Sequence, residues 1–298
     1  MRNECTRRTA LKAVAGAACL AGTLAQAAPA RRLKVGMTSI NWGFRPEDAE
    51  PGIRDSAKLG YHGYEVFGDS IDPLQEQGGL KALLDKYNMP MPSGYLNINL
   101  HDPTVRAQQM ENMKRWGKVL RECGSKIAVL GPMGVPKDYN FQAAKADVVK
   151  TLNEAAKVLS DLGLIAALHQ HTRTAVDTEE QVYAVMEAVD TRYVKFGPDV
   201  AQLQNAGSDP LKICKDFLPL IYTVHLKDYL GVPPWRGYCP LGMGKVNLPA
   251  VIDLLETAPN MTHLMVELDR TRNAPTPPFE CAVICKEYLM KQGYTFRS

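Results

Sequence analysis

The sequence has no hydrophobic run of transmembrane length. The longest uncharged stretch of apolar character, residues 13–24, is about 12 residues, whereas a bilayer-spanning helix needs roughly 20. There is no Cys-x-x-Cys pair, which excludes a zinc ribbon. Nor is there a glycine-rich phosphate loop where an open, doubly wound sheet would carry one, since Ser39-Ile40-Asn41-Trp42 follows the first apolar run. Linkers, repeats and low-complexity segments are all missing, so the 298 residues read as a single domain. Charge of one sign is missing too, because 35 Lys and Arg stand against 32 Asp and Glu.

What is present begins with a leader. Thr6-Arg7-Arg8-Thr9-Ala10-Leu11-Lys12 has the form of a twin-arginine export motif, with Ala10 where Phe is usual. The uncharged run follows, and Ala25-Gln26-Ala27 offers a small-x-small cleavage site. Residues 1–27 are therefore expected to be removed, leaving 28–298 as a periplasmic or secreted protein with no stable membrane association. The leader carries Arg2, Arg7, Arg8 and Lys12 against Glu4, a net +3 equal to that of the whole chain, so the remainder is formally neutral. A neutral chain without a basic stripe lacks the electrostatic footprint of a nucleic-acid binder. Its five cysteines, Cys123, Cys214, Cys239, Cys281 and Cys285, are odd in number and widely spaced, which is not a disulfide framework.

From residue 33 onward, short apolar runs alternate with helical stretches. The runs are 33–37, 64–67, 92–96, 127–130, 165–168, 194–197, 221–226 and 263–266. Helical patterns lie at 46–59, 80–87, 105–123, 143–162, 179–189, 210–217, 248–255 and 279–292. Eight strand–helix units at roughly 30-residue spacing predict an α/β fold, a closed (β/α)8 TIM barrel.

Such a barrel collects functional groups at the C-terminal ends of its strands. Those ends carry Glu65, His169-Gln170-His171, Asp199, His225 with Lys227, and Glu267 with Asp269 and Arg270. Imidazole and carboxylate recurring at one face through consecutive units predicts a divalent metal site. His62, His101 and His263 fall in helix-to-strand or loop contexts, and a structural role is expected for them.

Several segments then carry a resemblance: Ile40-Asn41-Trp42, Leu168-His169-Gln170-His171-Thr172 and Asp199-Val200-Ala201-Gln202. Val224-His225-Leu226-Lys227-Asp228, Leu241-Gly242-Met243-Gly244 and Val266-Glu267-Leu268-Asp269-Arg270 complete the set. Over nearly the whole chain beyond the leader, the sequence resembles the xylose isomerase-like barrels of sugar phosphate isomerases and epimerases, nearest the inosose dehydratase branch. The resemblance implies one divalent ion (Mn, Co, Zn or Mg, with Mn favoured) held by His169, Asp199, His225 and Glu267. His169 stands where isomerases and epimerases have Glu, and Gln202 where many relatives have His. Glu267, His169, His171 and Lys227 are the expected catalytic groups, with Lys227 or Arg270 stabilising a developing oxyanion. Asn41, Trp42, Glu65, Gln202 and Arg270 are the expected substrate contacts. The implied reaction is α-proton abstraction and β-elimination from an unphosphorylated keto-sugar, keto-glycoside or keto-inositol. Isomerisation or epimerisation is the alternative, and a non-catalytic sugar-binding barrel a further one. The expected partner is a small-molecule carbohydrate, with homo-oligomerisation left open.

Overall fold

The computed structural model describes residues 30–235, 237–269 and 274–298; the expected leader, 1–27, lies outside them. Eight parallel strands form the wall: β1 (Lys34–Thr38), β2 (Gly63–Glu65), β3 (Ser93–Ile98), β4 (Ile127–Pro132), β5 (Ile165–Leu168), β6 (Val194–Phe196), β7 (His225–Leu226) and β10 (His263–Val266). Between the last two, a short antiparallel hairpin pairs β8 (Asp228–Tyr229) with β9 (Tyr238–Cys239). The wall comprises two four-stranded arcs, in the orders β2-β1-β10-β7 and β3-β4-β5-β6. Parallel bridges Phe67↔Tyr95 and Phe196↔Ile221 join the arcs, which closes the barrel as the sequence predicts.

The strands are nearly continuous apolar runs because both faces are covered. Helices α1 (Pro46–Lys58), α2 (Ile71–Glu76), α3 (Leu80–Lys86), α4 (Arg106–Glu122) and α5 (Phe141–Asp161) pack outside, followed by α6 (Glu179–Met186), α7 (Val200–Asn205), α8 (Pro210–Asp216), α9 (Leu248–Glu256) and α10 (Pro278–Lys291). The main apolar core lies between strands and helices. A separate cluster of Tyr95, Ile127, Val129 and Ala167, drawn from alternate positions of β3, β4 and β5, fills the interior. Gly131 makes room for the Tyr95 ring, since a Cβ there would lie 2.0 Å from its hydroxyl oxygen.

Three features depart from expectation. The seventh strand is ladder-paired only at His225–Leu226 rather than over 221–226. Pro198, which has no N–H, interrupts its neighbour, and pairing survives as single bridges at Ile221 and His225. Helices α2 and α7 and the hairpin arise in segments where the sequence pattern assigns no element. Helix α7 is capped by Asp199, whose Oδ1 accepts from the N–H groups of Ala201 and Gln202 at 3.0 Å each.

Candidate metal centre

Four side chains from consecutive units meet at the C-terminal mouth: His169 after β5, Asp199 after β6, His225 in β7 and Glu267 after β10. One donor atom from each lies within 4.8 Å of the other three, and all four residues are buried.

Each is aimed by a bond on its far side. His169 Nδ1 is 3.2 Å from the Gly197 carbonyl oxygen; a proton donated there leaves the Nε2 lone pair facing Asp199 Oδ2, 3.8 Å away. Asp199 uses Oδ1 to cap α7, which turns Oδ2 inward. His225 donates from Nε2 to Glu65 Oε1 at 2.8 Å, so its Nδ1 faces Glu267 Oε2 in close contact. Glu65 is itself held by the Ser93 hydroxyl at 2.5 Å.

The four inward atoms, His169 Nε2, Asp199 Oδ2, His225 Nδ1 and Glu267 Oε2, are buried without a hydrogen-bond partner. Asp199 Oδ2 has only the Lys227 ammonium beside it, and His225 Nδ1 and Glu267 Oε2 have only each other; buried donors that converge without hydrogen-bonded partners are the arrangement of a cation site. Two imidazoles and two carboxylates suit a borderline divalent ion, so the residues present fit the implied metal.

The electrostatics set the two imidazoles apart: His169 is held neutral, whereas the carboxylates around His225 hold it protonated, so an ion binding there displaces its Nδ1 proton. Burial, reinforced by His225, His171 and Lys227, holds His169 well below the usual histidine range, which keeps it neutral and able to bind a metal. Burial also opposes charge on His225, but the carboxylates of Glu267 and Glu65 outweigh it and raise its pKa well above normal. For Glu267, burial is outweighed by His225 and Lys227, which keep the carboxylate ionised.

Lys227 is fully buried, its ammonium 2.7 Å from Asp199 Oδ2, 2.5 Å from Glu267 Oε1 and 2.6 Å from Asp269 Oδ2. Burial disfavours the charge, but the three carboxylates outweigh it and hold the pKa well above that of a free lysine. An ammonium has three N–H donors, and three carboxylates surround this one. The oxyanion role expected of Lys227 is therefore revised.

Above the centre, an open cavity of about 390 Å³ is lined by Tyr95, Asn97, Met133, His171, Thr172 and Arg173, among others. His171 is the titratable catalytic candidate that borders this space, its side chain 31% exposed. Behind it, Gln202 Nε2 donates to Asp269 Oδ2 at 2.8 Å, while Gln202 Oε1 accepts from the Thr172 hydroxyl at 2.7 Å and from the Tyr238 hydroxyl. Gln202 is thus buried and engaged in bracing the mouth, not free to meet a substrate hydroxyl.

Other expected substrate contacts are also placed elsewhere. Glu65 is fully buried beneath His225. Asn41 donates to the Pro278 carbonyl at 2.9 Å, and Trp42 donates to Asp55 Oδ2 at 3.1 Å; both brace helices. Arg270 lies outside the described residues.

Tyr95 and Tyr238 border the site without having been singled out in the sequence, and Asp269, named there at a strand end, is placed against Lys227 and Gln202. The Tyr95 ring stacks on His225 with centroids 5.9 Å apart and meets His169 edge-on at 5.3 Å. Its signal was Gly131, a strand-interior glycine that marks a bulky neighbour. Asp228 faces the other way from Lys227 and accepts four backbone N–H bonds: from Tyr229 (2.9 Å), Gly242 (3.0 Å), Gly244 (2.9 Å) and Val246 (3.1 Å).

The profile of the xylose isomerase-like TIM barrel family matches residues 53–280. An inosose dehydratase from Geobacillus kaustophilus is 25% identical, over 65% of this chain and 69% of that protein. A solved IolI protein with a bound zinc atom superposes with a TM-score of 0.71 at 19% identity, covering 89% of this chain and all (100%) of the other. A D-allulose 3-epimerase from Methylomonas sp. superposes equally well (TM-score 0.71), at 18% identity over 88% of this chain and 98% of that one. At such identities these superpositions speak to fold alone.

Proposed function

This chain belongs to the xylose isomerase-like TIM barrel family, and on that footing we propose that it is a divalent-metal-dependent lyase or dehydratase acting on an unphosphorylated keto-sugar, keto-glycoside or keto-inositol. The inosose dehydratase relative supports a sugar-processing activity of this type. His169, Asp199, His225 and Glu267 hold the ion, manganese by preference for a mixed imidazole and carboxylate set. A divalent ion bound there polarises a substrate carbonyl and acidifies the neighbouring C–H.

The observation that carries the reading is the placement of His169. Reversible epimerisation wants a base on each face of the reacting carbon. With Nδ1 committed to Gly197 and Nε2 turned to the metal position, His169 has no lone pair left to take a proton. Glu267 then acts alone as the base. The α-proton passes to its carboxylate, the C–H electrons form a carbon–carbon double bond, and the β C–O bond breaks. Burial opposes charge on His171, but Asp269 outweighs it and raises its pKa; the protonated ring, once Nε2 leaves Gln202 Nε2 (2.6 Å), gives the departing oxygen its proton at the edge of the cavity, so water or an alcohol leaves. An exported enzyme meets few sugar phosphates, so the leader motif favours an unphosphorylated substrate. We propose that the twin-arginine leader carries the enzyme out of the cytoplasm and that residues 1–27 are then cleaved; recovery in the cytoplasm alone would refute the export, and an intact N-terminus on exported protein, read by mass spectrometry, would refute the cleavage.

The test is a screen of keto-sugars and keto-glycosides with the metal-loaded protein. An enone-like product absorbing in the ultraviolet, formed only with metal, is expected. Clean conversion of an aldose to its ketose, with no water or alcohol released, would assign the isomerase reading instead.

A further inference from the structure

Beside the four-donor centre lies a second convergence of carboxylate oxygens, with a lysine at its middle. Asp199 Oδ2, Glu267 Oε1 and Asp269 Oδ2 come within 2.7, 2.5 and 2.6 Å of Lys227 Nζ. Two of these carboxylates also serve the first centre. Glu267 presents Oε2 to the metal donors and Oε1 to Lys227, as a carboxylate does when it bridges two cations. Asp199 Oδ2 faces both positions. Asp269 belongs to the second set alone, and His171 Nε2 lies 3.8 Å from its Oδ2. Three carboxylates are the donors of a metal site in their own right; Gln202 Nε2 stands between Asp269 Oδ2 (2.8 Å) and His171 Nε2 (2.6 Å), which leaves the imidazole outside the set.

The charges make the same point. Asp199, Glu267 and Asp269 carry three negative charges, which one divalent ion and one ammonium neutralise. Removing the ammonium leaves an uncompensated charge in a buried cluster, a strongly unfavourable state. We propose that the Lys227 ammonium occupies a second cation position and thereby limits this centre to one metal ion. The inference rests on the metal centre proposed above, but its readout is stoichiometry and needs no substrate.

Metal bound per chain, measured by elemental analysis after equilibration with Mn²⁺ or Zn²⁺, tests it. The wild-type chain is expected to hold one ion, Lys227→Met two, and Lys227→Arg one. Lys227→Met combined with Asp269→Asn is expected to return to one, because the second set loses the ligand that belongs to it alone. If Lys227→Met is unfolded without metal, its refolding is expected to require two equivalents of Mn²⁺. One ion in Lys227→Met, refolding with one equivalent, or no refolding at any Mn²⁺ concentration would overturn the inference and leave the proposed function standing. A wild-type chain that binds no ion would remove both.

Discussion

Histidines stand at both ends of the barrel, and the company they keep is opposite. At the mouth, His169, His171 and His225 lie among Glu65, Asp199, Glu267 and Asp269; the inward nitrogens of His169 and His225 meet the other donors of a common centre, and His171 Nε2 faces Asp269. At the base, where β10 begins and β2 is approached, His62 and His263 have Lys34 for a neighbour. Burial, then Lys34 and His62, pushes His263 down to about 4, and burial, then Lys34 and Arg297, lowers His62. No carboxylate acts on either, so these imidazoles stay neutral and structural. Residue type is shared; the carboxylates after the strands make one end chemical and leave the other inert.

That contrast can be broken most forcefully at Glu267. Glu267→Gln is expected to lower the rate of product formation by roughly 10³-fold or more, since it removes both a metal donor and the proposed base. The ultraviolet assay checks this. His171→Asn is expected to cost roughly 10²-fold in kcat with bound metal unchanged; loss of metal in that variant would mean that His171 belongs to the donor set. Glu65→Gln touches neither metal nor substrate, yet it removes the carboxylate that aims His225. Metal affinity should fall roughly 10- to 100-fold, measurable by competition with a chelator.

The base gives the smallest effect, and it falls on stability alone. The folded pKa of His263, about 4, lies below the ordinary value of 6.5. Below pH 6.5 the unfolded chain therefore takes up a proton that the folded chain refuses, and stability falls as pH drops from about 6.5 to about 4. At 1.36 kcal/mol per unit, discounted for partial exposure, the loss is about 2 kcal/mol. His263→Gln should flatten denaturant melts in that window and leave metal binding intact; a change in metal binding would dissolve the distinction between the two ends.

The barrel and its four donors were legible because they are written in repeating form. Apolar runs such as Ile165–Leu168 end in polar residues at the same phase of each unit, and one strand end after another repeats the pattern. What escaped was whatever depends on non-repeating contacts. A hairpin of two-residue strands, Asp228–Tyr229 with Tyr238–Cys239, has no periodicity to detect. Gln202 and Glu65 have polar side chains that suit substrate binding equally well; only the observed partners, Asp269 and Tyr238 for one and His225 and Ser93 for the other, make them braces. Asp269, named at a strand end without a role, is held by Lys227.

Asp228 has a consequence of another kind. Its one carboxylate grips the chain at Tyr229 and again at Gly242, Gly244 and Val246, so the intervening segment leaves and returns to the same post. Lengthening or recomposing that segment is expected to leave His225 and Lys227 in place, since both sit on the barrel side of the post. The segment also supplies Tyr238, which bonds Gln202 just behind His171. The barrel thus carries, beside the candidate centre, a loop anchored independently of the four proposed metal donors, where changes of sequence are expected to alter which substrate fits and leave those donors in place.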